Sequence, residues 1–471
     1  MFETGIRQFR MALAMVTGRR INPRLIELLA GDAVATLQEF GAPGDDVGEL
    51  LDGPFADPDS REHFQTQAIR RTLRRIATRS PHYRDLLSGV DIQQLTLADF
   101  AGFPVTTKAD LIAHGPDFVC TDVSPYLSTR TTGTTGRPIE IWMSVYEAAL
   151  WPAFAALSGL LRDEIRPSDC LQVNISSRAT AAVQHSLDVC RLAHARTRVM
   201  GQVPATQSLD SLLDREPTLL GAYPSYLAQL VTEARRRGVT PGDFALRGIN
   251  AGGEVLSPSL AAGAQQTLGA PVTDIFGMTE TLPVSGRTCA AGHLHPDLNM
   301  GLVEVVSFTG PEPTAPGELG RMVITPYFPY RDCMPILRYD TGDVVRQLSG
   351  EALGCEFAGT PAVSAICGKV SQLITTRSGV VTTRDIVEVL ESLPSRPWPA
   401  RYRAVERNGV LLLTVPSAAL AGLTTVEVSD RFGERGIDCV IEVSEPGAVL
   451  RGVRADLVET TFTDSLVTAG V

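Results

Sequence analysis

The sequence predicts an α/β protein: a large N-terminal domain of layered α/β sheets under a helical N-terminal cap, followed by a small α+β C-terminal domain. A chain of 471 residues exceeds what one hydrophobic core usually serves, so a large domain with a smaller one attached is expected. Between Tyr126 and Ile324, apolar β-rich runs alternate with amphipathic segments, the pattern of layered architecture with largely parallel strands. Beyond Ile374 the pattern restarts on a smaller scale. These observations place the large domain at 1–368, with its cap at 1–115, and the small mobile domain at 369–471.

In the cap, AIRRTLRRIA from Ala68 carries apolar residues at helical spacing, and RSPHYRDLL from Arg79 marks a turn into the next helix. The strands are LQVNIS after Cys170, TRVMGQV from Thr197, TLLGAY after Pro217 and PVTDIF after Ala270. Helices SLDSLLD from Ser208 and SYLAQLVTEARRRG from Ser225 lie between them, the second ending at Gly238. In the small domain, helix TRDIVEVLESL precedes strands RYRAVER and VLLLTVP, which flank Asn408-Gly409, a strong hairpin signal. A helix near VEVSDRFGERG and strand CVIEVSE complete it.

Hydrophobic residues at 44% and charged residues at 20% support a packed core rather than a disordered chain. The net charge of −11 argues against nucleic-acid or anionic-membrane partners, which reward a basic surface. No apolar stretch is long enough to cross a bilayer and the start lacks a signal-peptide core, so the expected location is cytoplasmic. Eight scattered cysteines do not form a disulfide framework; free thiols or metal ligands are expected. The chain has two lysines, Lys108 and Lys369, so a lysine-dependent step has few candidates.

The segment Thr131-Thr-Gly-Thr-Thr-Gly-Arg-Pro138 packs hydroxyls and glycines into a short loop whose backbone N–H groups can wrap phosphates; taken alone it favours phosphate binding, with a polar surface turn as the alternative. Downstream lie Ala251-Gly-Gly-Glu254, Asp274-Ile-Phe-Gly-Met-Thr-Glu280 and Arg338-Tyr-Asp-Thr-Gly-Asp343. Together and in this order, the segments resemble the adenylate-forming superfamily. Phe103-Pro-Val-Thr-Thr-Lys-Ala-Asp-Leu111, the preceding SPHYRDLL and GAYPSYLAQL from Gly221 are similar to its phenylacetate-CoA ligase branch, from about Gln67 to Gln372.

The resemblance implies that Thr131, Thr132, Gly133, Thr134, Thr135, Gly136 and Arg137 cradle the triphosphate of ATP, with arginine in the usual lysine's place. It implies that Gly253 and Glu254 border the adenine, Phe276 stacks on it within the segment that includes Asp274 and Gly277, and Thr279 bonds the α-phosphate. Glu280 would ligate Mg2+, Asp343 would accept hydrogen bonds from both ribose hydroxyls, and Lys369, at the hinge, would be a further cofactor-binding residue. The implied reaction is attack of a small carboxylic acid on the α-phosphate, giving acyl-AMP and pyrophosphate, followed by rotation of the small domain and transfer to a thiol of coenzyme A or a carrier protein, or to an amine. Trp151, Tyr223, Pro224 and Leu282 are expected to line an apolar or aromatic acyl pocket. A homodimer is compatible with the resemblance, although no residue pattern specifies its interface.

The sequence departs from the family in two places. No lysine follows Lys369, and Val453 stands about where the C-terminal lysine of relatives would be, leaving Arg451 and Arg454 as candidate catalytic cations. The hinge reads Gly368-Lys-Val-Ser-Gln372 in place of Gly-Arg followed by acids. Three readings stay open: acid activation with a specialised acceptor, an amide-type ligase working without coenzyme A on an unusual acid or oxyanion, and a non-catalytic nucleotide-binding relative. For metal, Cys289, one of His293 or His295, and Cys355 supply three ligands, while Leu353 stands where relatives have a further cysteine, so the expectation is no structural zinc.

Overall fold

The structure is a computed structural model that describes residues 2–41, 57–130, 139–176, 179–349, 354–355, 357, 360–394, 398–420 and 422–444. The cap is helical: α1 (Phe2–Thr17), α2 (Pro23–Phe40), α3 (Pro58–Arg79), α4 (Pro81–Leu86), α5 (Leu97–Ala101) and α6 (Lys108–His114). On α3, Ala68, Ile69, Thr72, Leu73 and Ile76 form a buried stripe at helical spacing. Thr96 and Thr107 open α5 and α6 with capping boxes to Asp99 and Asp110, so both helix starts are fixed by sequence. The antiparallel pair β1 (Leu127–Arg130) and β2 (Glu140–Met143) follows, then the largely buried α7 (Val145–Leu161).

The α/β layer alternates as expected: β3 (Cys170–Asn174), α8 (Thr180–Leu192), β4 (Arg196–Val199), α9 (Ala205–Leu213), β5 (Leu219–Ala222), α10 (Pro224–Arg237), β6 (Gly248–Gly252), α11 (Pro258–Leu268) and β7 (Val272–Gly277). After β7 come the hairpin β8 (Ser285–Thr288) and β9 (His293–Pro296), then β10 (Gly301–Val306), β11 (Leu319–Pro326), β12 (Tyr339–Arg346), β13 (Val363–Ser364) and β14 (Gly368–Lys369). The main sheet runs β13-β9-β8-β7-β6-β5-β3-β4; its β4-to-β7 part is parallel and its β8, β9 and β13 edge antiparallel. An antiparallel sheet, β10-β11-β12-β14, holds the Thr341-Gly342-Asp343 segment. No helix among the described residues is long and apolar enough to cross a membrane.

The C-terminal region has its own core, from Val381 to Ile441. It comprises β15 (Ile374–Thr376), β16 (Gly379–Val381), α12 (Thr383–Glu391), β17 (Arg403–Arg407), β18 (Val410–Val415), α13 (Ser417–Leu420), α14 (Thr425–Gly433) and β19 (Cys439–Val443). Asn408 and Gly409 turn between β17 and β18 at φ 54° and 78°, where the sequence places a hairpin.

This region docks through Trp398, which is buried in the core of α9, α10 and α11. The Arg235 guanidinium lies 4.6 Å from its ring centroid, and a Cβ at Gly263 would fall 2.0 Å from the ring, so α11 needs glycine there. Beside it, Glu391 accepts from Ser257 Oγ at 2.5 Å and from Ala400 N at 3.1 Å. Burial pushes the Glu391 carboxyl up to about 7, although both hydrogen bonds oppose the shift. A carboxyl raised on folding stabilises the docked form below its unfolded pKa, and that contribution is lost as pH rises through about 7. The full difference is about 3 kcal/mol. Glu391→Gln should therefore flatten the fall in melting temperature between pH 5.5 and 8.5; parallel curves for variant and wild type would contradict this.

Candidate functional site

The carboxyl ends of the parallel strands share one edge of the main sheet, where open α/β sheets place their ligands. Beyond β6, Gly253 turns at φ 81°, a left-handed conformation that favours glycine. The Glu254 carboxylate is held by Ser225 N at 2.8 Å and Ser225 Oγ at 3.0 Å, at the start of α10. Tyr223 and Pro224, the two residues before Ser225, are both buried. At the end of β7, Phe276 is buried and Gly277 exposed. Half-buried Asp274 receives a long hydrogen bond from Thr288 Oγ1 at 3.4 Å and faces the Arg384 charge of α12; burial pushes its carboxyl up to about 6.

Thr279 and Glu280 follow in a short 3-10 turn, with Glu280 7% exposed. Burial raises the Glu280 pKa, the Lys369 and Lys108 charges oppose that rise, and Asp343 adds to it. Tyr339 hydrogen-bonds Glu280 from β12. On the same strand, Asp343 is 6% exposed and lies 2.9 Å from Lys369 Nζ. Lys369 also donates to Thr341 O at 3.0 Å, and β12 and β14 pair Asp343 directly with Lys369. A carboxylate from the turn after β7 and one from β12 thus share the field of two ammonium groups. The Glu280 carboxylate offers hard oxygen ligands of the kind Mg2+ takes, and so fits a divalent cation that arrives with the phosphates.

Thr131, Thr132, Gly133, Thr134, Thr135, Gly136 and Arg137 lie outside the described residues, as do Arg451 and Arg454. The bracketing ends are described: Arg130 pairs with Glu140. Of the acyl-pocket candidates, Leu282 is half-buried against the main core. Trp151 donates from Nε1 to Tyr330 O at 2.7 Å and lies under the Arg331 guanidinium, contacts that core packing explains. Sequence reasoning passed over Tyr339, and it treated Lys108 as a signature residue rather than a site residue. The scarcity of lysine was the available signal.

The expectation of no structural zinc rested on three ligands, and the fold gathers four candidate residues. Ligand atoms of Cys289, His293, His295 and Cys355 all lie within 4.8 Å of one another. The hairpin supplies both histidines, and the pairing of β13 with β9 brings the preceding Cys355 back beside Cys289, so distance in sequence did not prevent proximity. Cys355 Sγ is 3.4 Å from His295 Nε2, and buried His293 Nδ1 has no hydrogen-bond partner among the described residues. Two sulfurs and two imidazoles are a fitting tetrahedral zinc set.

No family model matches the chain. It is 27% identical over 387 residues to a phenylacetate-coenzyme A ligase of Thermus thermophilus, spanning 78% of this chain and 82% of the relative. It is 26% identical over 313 residues to a phenylacetate-coenzyme A ligase of Pseudomonas putida, spanning 63% and 69%. The crystal structure of 2-hydroxyisobutyryl-CoA ligase in the postadenylation state with R3-HIB-AMP superposes with a TM-score of 0.70 at 21% identity, covering 84% of this chain and 88% of that one, a likeness of fold. The chain is thus similar in sequence to phenylacetate-coenzyme A ligases and in fold to 2-hydroxyisobutyryl-CoA ligase.

Proposed function

We propose that this chain is an AMP-forming acid ligase that activates a small, apolar or aromatic carboxylic acid with Mg·ATP and passes the acyl group to a thiol, with coenzyme A the first acceptor to test. The shared field of Glu280, in the turn after β7, and Asp343, on β12, with Lys108 and Lys369 is the observation that carries this reading. The curated relatives are phenylacetate-coenzyme A ligases, and the solved relative holds an acyl-AMP.

A carboxylate oxygen attacks the α-phosphorus, the bond from that phosphorus to the bridging oxygen breaks, and pyrophosphate leaves. The chain positions the reactants and neutralises charge. Asp343 takes the ribose hydroxyls, Gly253 and Phe276 flank the adenine, Thr279 bonds the α-phosphate and residues 131–137 wrap the outer phosphates. When bound at Glu280, Mg2+ supplies charge neutralisation to the phosphate oxygens. In the second step the thiolate sulfur attacks the acyl carbon and AMP departs. Zinc at Cys289, His293, His295 and Cys355 would serve structure, because all four positions are filled by protein.

The test is pyrophosphate exchange into ATP across a panel of aromatic and short aliphatic acids, followed by product analysis with and without coenzyme A. Acid-dependent exchange and a thioester formed with coenzyme A are expected. Exchange followed by an amide, or by no thioester, would replace the acceptor; silence across the panel in folded protein would overturn the reading.

A further inference from the structure

The chain's two lysines arrive at the same acidic pair by different routes. Lys369 comes from β14 and pairs with Asp343. Lys108 is the first residue of α6, and the segment leading to it is bound tightly to the start of β12. Thr106 N donates to Arg338 O at 3.0 Å, Asp340 N donates to Thr106 O at 2.9 Å, and Thr106 Oγ1 donates to Leu337 O at 2.6 Å. Thr106 forms a parallel bridge with Tyr339, the residue whose hydroxyl bonds Glu280. These contacts fix the backbone two residues before Lys108 against the strand that serves Glu280, and the Lys108 charge acts on that carboxylate.

Residues of α6 and of the β1–β2 pair, among them Leu111, Ile112, Arg130, Glu140 and Trp142, line a common cavity of about 300 Å³ with Gly115. Arg130 and Glu140 are the paired residues that bracket 131–138. Lys108 is therefore carried on an element that is tied to β12 at its start and lines a cavity with Arg130 and Glu140 further along.

Helix stability does not ask for a cation there. The N-terminus of a helix is the positive end of its dipole, and a lysine in the first turn works against it. Lys108 is also half-buried and feels the like charge of Lys369. Glu280 supplies the negative field that Lys108 faces, and the phosphates of a bound nucleotide would add to it.

Resting on the ligase reading above, we propose that Lys108 is a catalytic cation of acyl-AMP formation, its ammonium lying against the phosphates of ATP and the incoming carboxylate where relatives use a lysine from the small domain. It transfers no proton. As the oxygen–phosphorus bond to the carboxylate forms and the bond to the bridging oxygen breaks, the ammonium stabilises negative charge on the α-phosphate and on departing pyrophosphate.

The test uses the full chain as wild type, Lys108→Ala and Lys108→Arg, with an acid that supports exchange. It measures pyrophosphate exchange, AMP affinity by calorimetry and melting temperature. Lys108→Ala should lose about 100-fold or more in exchange rate at saturating ATP. AMP affinity should fall at least about tenfold less than the exchange rate, because AMP keeps the α-phosphate but carries neither the leaving phosphates nor the charge that develops in the transition state. Added n-propylammonium should restore part of the lost rate in Lys108→Ala and leave wild type unchanged. Exchange within about threefold of wild type overturns the proposal while leaving the ligase reading intact. Loss of exchange together with AMP affinity and melting temperature in both variants assigns Lys108 a structural role and also overturns it. A wild-type enzyme silent with every acid removes the ligase reading itself.

Discussion

Glu280→Gln is expected to lower acyl-AMP formation by about 100- to 1,000-fold and to raise the Mg2+ concentration needed for half-maximal rate. The carboxylate is 7% exposed, bonded by Tyr339 and opposed by the charges of Lys108 and Lys369. Glutamine keeps the shape and an acceptor oxygen but removes the negative charge. The variant then leaves two ammonium groups near Asp343 with one fewer counter-charge, and a divalent cation finds a less favourable field. The measurement is the initial rate of AMP release against Mg2+ at saturating ATP. A variant with wild-type rate and Mg2+ dependence would remove Glu280 from the reaction centre.

Removal of metal is the second large effect. The purified chain should carry about one zinc, and Cys355→Ser should lose it and melt at least about 5 °C lower. The size of the effect follows from what the ligands join. Cys289, His293 and His295 belong to the β8–β9 hairpin, and Cys355 belongs to the connection that returns through β13 towards Gly368 and Lys369. A metal there fixes that connection to the edge of the main sheet. Elemental analysis with thermal melting checks this, and Co2+ substitution should give the absorption of a tetrahedral thiolate site. Protein free of metal, with Cys355→Ser melting as wild type does, would contradict the assignment.

The alternating part of the fold was legible because β3 to β7 are short apolar runs and α10 ends in Gly238 with φ 67°, both local signals. α7 was not legible: Leu150, Trp151, Pro152, Ala153, Ala156, Leu157 and Leu160 are buried around several faces, so no amphipathic stripe announces the helix, and Pro152 within it reads as a breaker. α11 is built of small residues, Pro-Ser-Leu-Ala-Ala-Gly, because Trp398 packs against Gly263, a demand set by a residue more than a hundred positions away. The site was legible where chemistry is local, as at Glu280 and Asp343. It was not legible where it depends on pairing between strands: the parallel bridge of Thr106 to Tyr339 places Lys108, and the return of β13 to β9 completes the zinc set.

The central claim is that the glycine, aromatic and acidic segments grip one nucleotide at the sheet edge. A crystal structure of the full chain with AMP tests it most directly. The account predicts adenine between Gly253 and Phe276 with both ribose hydroxyls on the Asp343 carboxylate, displacing or sharing its contact with Lys369. AMP bound in another cavity, with the Asp343–Lys369 pair untouched, would contradict it.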